Sequence, residues 1–181
     1  MKDVRGRLKE KLKRCVSTGK ITLSSGKETD FYFDGRLVSL EPEGSVLIAE
    51  LMLDELKRLG IQAVGGLTSG ADPLTSSIGV LAHQRGVPMK LFYVRKQPKG
   101  HGTMKQVEGP PLEHGMRVAL VDDVVTTGSS LVQARDALRD EAGVKVTDAI
   151  VVIDREEGGR EILAKNGIRL WSLFQKQDFL P

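Results

Sequence analysis

The sequence has a single cysteine, Cys15, among its 181 residues. One thiol cannot form an internal disulfide, which excludes a disulfide-stapled fold and suits a reducing compartment, so we expect a cytoplasmic protein. Cys15 continues an apolar stripe of helical spacing formed by Val4, Leu8 and Leu12, with Val16 beside it. This position predicts a core residue and not a reactive thiol.

Long apolar runs are also missing from the sequence. No stretch approaches the roughly 18 apolar residues of a transmembrane helix. Residues 1–15 carry charges but no long apolar core, so we expect neither a membrane partner nor a secretory signal. Repeats, low-complexity tracts and linkers are absent too. We therefore expect one domain over residues 1–181, with residues 1–40 contributing a small hood over the functional edge of the fold.

Basic residues are concentrated at the start of the chain. Residues 1–20 hold eight Lys or Arg and two acidic residues, so the remainder of this +3 chain is net acidic, at −3. A basic segment can indicate nucleic-acid binding. The apolar stripe instead makes these charges the exposed face of an amphipathic helix. The sequence also lacks a helix-turn-helix and a basic stripe with interleaved aromatics, so we expect no nucleic-acid partner.

Helical and strand-like patterns alternate through the rest of the chain. Helices are predicted over 42–59, 73–85 and 129–143, each closed by a glycine, with a short one at EILAKNG. The predicted strands read AVGG, MKLFYV, RVALVDD, VTDAIVVID and IRLWSLF. This alternation predicts an α/β fold with a mainly parallel twisted sheet and helices on both faces. Segment 95–116 is polar and shows no periodicity.

Polar turns follow several of these strands. Ligands of open α/β sheets bind beyond the carboxyl ends of the strands. The turns TSGADP, DDVVTTGSS and DREEGG, together with the long segment 95–116, all leave strands at that edge. We therefore expect the functional groups to converge on one rim of the sheet.

The stretch 117–130, RVALVDDVVTTGSS, carries the strongest signal. Adjacent carboxylates at Asp122 and Asp123 repel each other and are costly to desolvate. Sugar hydroxyls, a divalent cation or a cationic transition state could offset their charge. The turn 126–130 precedes a helix, whose free N–H groups and macrodipole favour an anion, and Gly128 permits close approach. The order of residues thus predicts a sugar-phosphate site.

Other interpretations of this stretch have less support. Ser129 could simply cap a helix while the aspartates are solvated, but four apolar residues followed by two acids and TTGSS favour a ligand site. The stretch lacks the lysine of a nucleotide-binding P-loop and is not a GxGxxG motif.

Segment 95–102, RKQPKGHG, belongs to a basic region. Five Lys or Arg and one His, but no acid, lie between Lys90 and Lys105. A long unpatterned segment with glycines suits a mobile lid, and its cations could screen a departing anion. The alternative is a solvated surface loop with scattered basic residues.

VALVDDVVTTGSS resembles the ribose-5-phosphate signature of the type I phosphoribosyltransferases, which use phosphoribosyl pyrophosphate (PRPP) with Mg²⁺. The resemblance implies that Asp122 and Asp123 hold the ribose 2′ and 3′ hydroxyls and act in catalysis, and that the following loop binds the 5′-phosphate. The implied PRPP-binding residues of this motif are Asp122, Asp123, Val124, Val125, Thr126, Thr127, Gly128, Ser129 and Ser130.

RKQPKGHG resembles the catalytic loop of orotate phosphoribosyltransferases, with the pattern R-K-x-x-K-x-H-G. The match falls on Arg95, Lys96, Lys99, His101 and Gly102. It implies that Arg95, Lys96, Lys99 and His101 bind PRPP and that Lys99 and His101 are catalytic. In that family the loop reaches the active site of the neighbouring subunit, which implies a homodimer with shared sites.

ITLSSGKETDFYFDGR resembles the orotate-binding segment of the same family, and Arg155 of DREEGG matches the arginine that pairs with the orotate carboxylate. The implied orotate-binding residues are Lys27, Tyr32, Phe33, Thr126 and Arg155. The chain departs from the pattern at two positions. Ser24 stands where many members have a lysine, for which Lys27 could substitute, and Gly70 stands where some members have a lysine that contacts pyrophosphate.

The resemblance as a whole implies a pentosyl transfer from PRPP to orotate in UMP biosynthesis. The sequence has no Asp/Glu/His cluster suited to tight metal binding, so we expect Mg²⁺ to arrive with PRPP. Two alternatives stay open. One is a phosphoribosyltransferase for a purine or a different pyrimidine, and the other is a non-enzymatic regulator that senses PRPP or nucleotides.

Overall fold

A computed structural model describes residues 3–22, 28–97 and 105–180. The helices are Val4–Lys13 (α1), Arg36–Ser39 (α2), Pro42–Arg58 (α3), Ala71–Gln84 (α4), Ser129–Ala142 (α5) and Gly159–Lys165 (α6). The strands are Val16–Thr22 (β1), Glu28–Phe33 (β2), Ala63–Leu67 (β3), Lys90–Val94 (β4), Val107–Glu108 (β5), Val118–Val125 (β6), Val146–Asp154 (β7) and Arg169–Gln175 (β8). A 3₁₀ turn, Lys176–Phe179, follows β8.

Six strands form one sheet in the order β5-β4-β3-β6-β7-β8, while β1 and β2 form a separate antiparallel pair. All neighbours in the large sheet are parallel except β5, which runs antiparallel to β4. The predicted mainly parallel sheet is confirmed. The segment 95–116, which shows no periodicity in the sequence, contains β5. A two-residue edge strand is too short to show a sequence period.

Side chains of the central strands alternate between two hydrophobic cores. On β6, Ala119 and Val121 belong to a core built with α1, α3 and α4. Val118 and Leu120 belong to a second core built with α5 and α6. A strand buried on both faces reads as a continuous apolar run, which explains VALV. The expected helices on both faces of the sheet are confirmed.

The first helix packs by its apolar stripe. Leu8 and Leu12 are fully buried, and Cys15 is buried as predicted. The helix nevertheless ends at Lys13, and Val16 begins β1, so the stripe extends beyond the helix that it predicted. Part of its basic face is neutralised by acids of the α2–α3 junction. These ion pairs join Arg7 to Glu43, Lys11 to Glu41 and Glu43, and Arg14 to Glu41.

Two of the element boundaries that differ from the prediction lie at the polar turns. α4 begins at Ala71, two residues before the predicted start. β6 continues to Val125, because Val124 and Val125 still pair with Ile153 and Asp154 of β7. Both aspartates therefore lie inside the strand. Among the described residues, no helix combines the length and the apolar character needed to cross a membrane.

Glycine is required in β3, where the chain passes close to its neighbour. A Cβ atom on Gly65 would lie 2.0 Å from the carbonyl oxygen of Phe92 and 2.7 Å from its ring. The backbone of β4 cannot move away without breaking its ladder with β3. The tight contact between these two strands therefore depends on the missing side chain.

We expect Gly65→Ala to lower the free energy of unfolding by about 2–4 kcal/mol, because the added methyl group overpacks a buried strand pair. Urea unfolding measures this loss. Lys57→Ala, at an exposed position of α3, is the control and should change stability by less than about 0.5 kcal/mol. Equal stability of the two variants would contradict the close approach.

Candidate functional site

Asp122 and Asp123 lie near the carboxyl end of β6. Asp122 is only 7% exposed. One of its carboxylate oxygens accepts a hydrogen bond from the Ser130 hydroxyl (3.1 Å), and the other accepts one from the backbone N–H of Asp123 (3.0 Å). Ser130 is in the first turn of α5, so the loop 126–128 folds back over the strand that carries the carboxylates.

Two glycines let other segments approach this pair. A Cβ atom on Gly70 would lie 2.4 Å from an oxygen of Asp122 and 3.0 Å from one of Asp123. A Cβ atom on Gly35 would lie 3.1 Å from a carboxylate oxygen of Asp123. The turn before α4 and the segment after β2 therefore both close on the aspartates. A side chain at position 70 would require the carboxylates of Asp122 and Asp123 to shift.

Burial disfavours charge on both aspartates. Burial, followed by the charge of Asp123, raises the pKa of Asp122 to about 7, against a smaller opposing effect of the Ser130 hydrogen bond. Burial also raises the pKa of Asp123. Both carboxylates therefore gain from a ligand that donates hydrogen bonds or carries positive charge.

Asp148 is a buried aspartate whose charge is stabilised by other residues of the chain. It is fully buried at the opposite end of the sheet, near the start of β7. Burial acts to raise its pKa, but hydrogen bonds from Trp171, Thr147 and Arg169 outweigh burial, and the pKa is lowered. Asp122 lacks cationic donors of this kind among the contacts described above, as expected for a group whose partner is a ligand.

The loop after β6 leads into α5 through a left-handed residue. Gly128 has φ 77° and is the N-cap of the helix, which has no side-chain cap. Ser129 therefore does not cap α5, contrary to the simplest structural explanation of TTGSS. The first-turn N–H groups are available to an anion, and the hydroxyls of Thr127 and Ser129 lie 3.3 Å apart beside them. Val124 and Val125 are ladder residues of β6.

Arg95 and Lys96 follow β4 at the same edge. The Arg95 side chain donates to Glu108 of β5 (2.9 Å), so its charge is paired here. The Lys96 carbonyl accepts a hydrogen bond from the Gln133 side chain of α5 (2.8 Å). On the other side of the segment, Glu141 of α5 accepts from the backbone N–H groups of residues 106 and 107. Lys99, His101 and Gly102 lie outside the described residues.

Arg155 follows β7 and turns toward β2. Its Nη2 donates to Thr29 Oγ1 (3.0 Å) and to the Phe31 carbonyl (2.9 Å). Glu157 Oε1 lies 2.7 Å from the same nitrogen, and the Arg155 side chain is 11% exposed. Its Nε is buried and has no hydrogen-bond partner among the described residues. The guanidinium is thus fixed by β2, and Nε is a donor that no described residue satisfies.

The remaining predicted residues are arranged as follows. Phe33 is buried in the core, although its ring reaches Gly35 next to Asp123. Tyr32 is half-buried on β2. The Thr126 carbonyl is close to Gly159, where α6 begins. Lys27 lies outside the described residues. The structure thus brings the aspartate pair and the loop 126–130 together, and it ties Arg155 to β2.

Several residues at this edge were not predicted as functional. Glu157 beside Arg155, Gly35 and Gly70 beside the aspartates, and the α5 side chains Gln133 and Glu141 all carry contacts described above. The acid two residues after Arg155 was visible in DREEGG, but the sequence does not show which way it turns. The α5 contacts depend on the tertiary packing alone.

A cleft of about 560 Å³ opens beside the loop, between α5 and α6. Thr127, Ser129 and Gln133 line it, whereas the two aspartates do not. Among the described residues, no group of three or more His, Cys, Asp or Glu is placed to hold a metal ion.

The chain is similar to a known family domain and to several orotate phosphoribosyltransferases. The family profile of the phosphoribosyl transferase domain matches residues 42–173. The orotate phosphoribosyltransferase of Aquifex aeolicus (strain VF5) is 47% identical over 158 residues, covering 87% of this chain and 85% of that protein. Two crystal structures of Mycobacterium tuberculosis H37Rv orotate phosphoribosyltransferase each cover 97% of this chain and 98% of theirs. The complex with Fe(III) dicitrate has a TM-score of 0.83 at 38% identity, and the complex with PRPP 0.80 at 35%.

The raised pKa of Asp122 predicts that the ligand-free protein loses folding stability as the pH rises. The folded state retains the proton up to about pH 7, whereas the unfolded chain releases it near pH 3.8. Stability is therefore lost as pH rises between these values. We expect Asp122→Asn to unfold with a free energy about 1–3 kcal/mol higher than wild type at pH 8, and with a smaller difference at pH 5.

Asp148→Asn is the matched control, measured by urea unfolding at both pH values. The pKa of Asp148 is lowered, so its stabilising charge is present at high pH and this variant should be destabilised at pH 8. A difference between Asp122→Asn and wild type that stays constant from pH 5 to pH 8 would contradict the proposed ionisation.

Proposed function

The chain belongs to the phosphoribosyl transferase family, and we propose that it is an orotate phosphoribosyltransferase. It transfers the ribose-5-phosphate unit of PRPP to N1 of orotate, giving orotidine 5′-monophosphate (OMP) and pyrophosphate, a step of pyrimidine biosynthesis. The observation that carries the choice of base is Arg155. Arg155 follows β7, the strand next to the one that carries the aspartate pair. Its guanidinium is hydrogen-bonded to β2.

The aspartate pair and the loop after it are assigned to the sugar phosphate. Asp122 and Asp123 accept hydrogen bonds from the ribose 2′ and 3′ hydroxyls, which relieves the cost of burying two charges side by side. The 5′-phosphate binds the uncapped N-terminus of α5, where Gly128 permits close approach and the hydroxyls of Thr127, Ser129 and Ser130 add donors.

Mg²⁺ suits this pair of carboxylates. Their oxygens are hard ligands, and burial raises the pKa of both carboxyl groups, so a cation nearby would favour their charged forms. Asp122 and Asp123 are the residues that would hold the ion together with PRPP oxygens, since two side chains do not make a closed site. When bound, Mg²⁺ neutralises charge on the pyrophosphate.

The chemical step breaks the bond between C1 of the ribose and a pyrophosphate oxygen, and the electron pair leaves with pyrophosphate. C1 becomes strongly cationic until the electron pair of orotate N1 forms the new C1–N1 bond, and the proton of N1 passes to solvent. The negative aspartates stabilise this charge. Arg95 and Lys96, together with Lys99 and His101 outside the described residues, stabilise the departing pyrophosphate. Arg95 must exchange its ion pair with Glu108 for this role.

Base recognition is assigned to Arg155 and the segment around β2. Orotate differs from uracil by a carboxylate, and a guanidinium binds a carboxylate through two parallel hydrogen bonds. Arg155 must exchange one of the Nη2 bonds to Thr29 or Phe31 for this contact. The unpartnered Nε of Arg155 supports this role. Thr126, Lys27, Tyr32 and Phe33 remain proposed contacts of the pyrimidine.

A homodimer with shared sites is part of the proposal. An apolar face on α2, α3 and α4 supports self-association: Leu40 is 68% exposed, Val46 52% and Val80 62%. Val46 and Val80 line a groove of about 310 Å³ between α3 and α4. We also propose a cytoplasmic location, because the sequence has a single cysteine, Cys15, which cannot form an internal disulfide.

Adding PRPP, orotate and Mg²⁺ should cause loss of orotate absorbance, and turnover only with another base would contradict the proposal.

Arg155→Met should raise KM for orotate by roughly 10- to 100-fold, since a charge-assisted bidentate contact is lost, and should leave KM for PRPP nearly unchanged. Arg139→Met, on the exposed face of α5, is the control. Tight RNA or DNA binding without turnover would favour a regulator.

Mixed dimers test the shared site. Lys99→Ala and Asp123→Ala homodimers should each be nearly inactive. A randomly exchanged equal mixture should recover about a quarter of wild-type activity, because half of the dimers are mixed and each has one intact site. Native mass spectrometry verifies the exchange, and no recovery after verified exchange would argue against a residue shared between subunits.

A further inference from the structure

Arg155 already has a carboxylate beside it in the free protein. Glu157 Oε1 lies 2.7 Å from Arg155 Nη2, and the two residues belong to the same turn after β7. The guanidinium assigned to the orotate carboxylate is thus paired with a carboxylate of the chain itself.

The orientation of Arg155 does not depend on this ion pair. Nη2 has two N–H groups, and it donates to Thr29 Oγ1 and to the Phe31 carbonyl. These two bonds fix the guanidinium to β2. Glu157 therefore acts on Arg155 mainly through its charge.

The side chains of Arg155 and Glu157 are both partly shielded from water. The Arg155 side chain is 11% exposed and that of Glu157 30%, so water screens their interaction only in part. The neighbouring charges are already engaged, since Lys176 pairs with Asp30 of β2 and Glu156 accepts hydrogen bonds from Gln177. Among the described residues, Glu157 is the carboxylate within ion-pair distance of Arg155, while Asp30 interacts with it at longer range.

We propose that Glu157 is an affinity-determining residue, whose carboxylate competes with the carboxylate of the pyrimidine for Arg155. This inference rests on the proposed function. OMP keeps the carboxylate of orotate, so the competition weakens the binding of substrate and product alike. Its benefit is faster release of a product that would otherwise be held at both its phosphate and its base.

The test compares two nucleotides that differ only in this group. OMP carries the carboxylate and uridine 5′-monophosphate (UMP) does not. Glu157→Gln should tighten OMP binding by roughly threefold to tenfold, as expected for removal of a partly buried competing charge. UMP affinity should change by less than about twofold, since UMP has no carboxylate that could pair with Arg155. Isothermal titration calorimetry gives both dissociation constants.

Glu156→Gln is the matched control, because it removes the same charge from the same turn, where the side chain contacts Gln177. It should leave both affinities nearly unchanged. Thr29→Val removes one bond that orients Arg155 and should weaken OMP binding. Equal melting temperatures of wild type and Glu157→Gln exclude a folding defect.

The outcomes separate the two proposals. Weaker OMP binding by Glu157→Gln would mean that Glu157 positions Arg155, and it would overturn the inference. An equal change for OMP and UMP would overturn it too. Wild-type protein that does not prefer OMP to UMP would instead overturn the proposed role of Arg155, and the inference with it.

Discussion

The burial of two adjacent carboxylates near the end of a central strand is the constraint on which the site depends. β6 is paired on both sides and buried on both faces, so Asp122 has little access to water. Ser130 and the Asp123 N–H group supply hydrogen bonds but no positive charge. Folding therefore leaves an electrostatic cost that a hydroxyl-rich, cation-bearing ligand can relieve. The buried carboxylates lower the stability of the ligand-free protein, and a ligand that relieves this cost binds more tightly for that reason.

The parallel sheet brings the other parts of the site to these carboxylates. The turn before α4 and the loop before α5 leave neighbouring strands at one edge, and glycines at positions 70 and 128 permit close packing there. α5 extends this organisation. Its first turn faces the proposed phosphate, while Gln133 and Glu141 hold the chain on both sides of the basic segment. The proposed phosphate site and the base of that segment are thus attached to one rigid helix.

Two arginines that are assigned to ligand binding form ion pairs with acidic residues of the chain itself. Arg95 pairs with Glu108, and Arg155 pairs with Glu157. Such pairs lower the cost of leaving a cation partly desolvated in the free protein, and they reduce the affinity for an incoming anion by the same interaction. For an enzyme whose substrates and products are all anionic, this reduction favours turnover over tight binding.

The sequence by itself determined the alternation of strands and helices, and it located the aspartates and the loop 126–130. These depend on local physics: apolar periodicity, glycines at helix ends, and polar residues placed directly after buried strands. Arg155 was assigned only through the resemblance of DREEGG to a family motif. The sequence did not determine the two-residue strand β5 or the extension of β6 to Val125, since both exist only through pairing with a neighbouring strand. Nor could it show that Arg155 is fixed by Thr29 and the Phe31 carbonyl, more than 120 residues earlier in the chain. Only the tertiary structure decided which charges face one another, because hydrogen bonds and ion pairs depend on direction and distance, which sequence order does not contain.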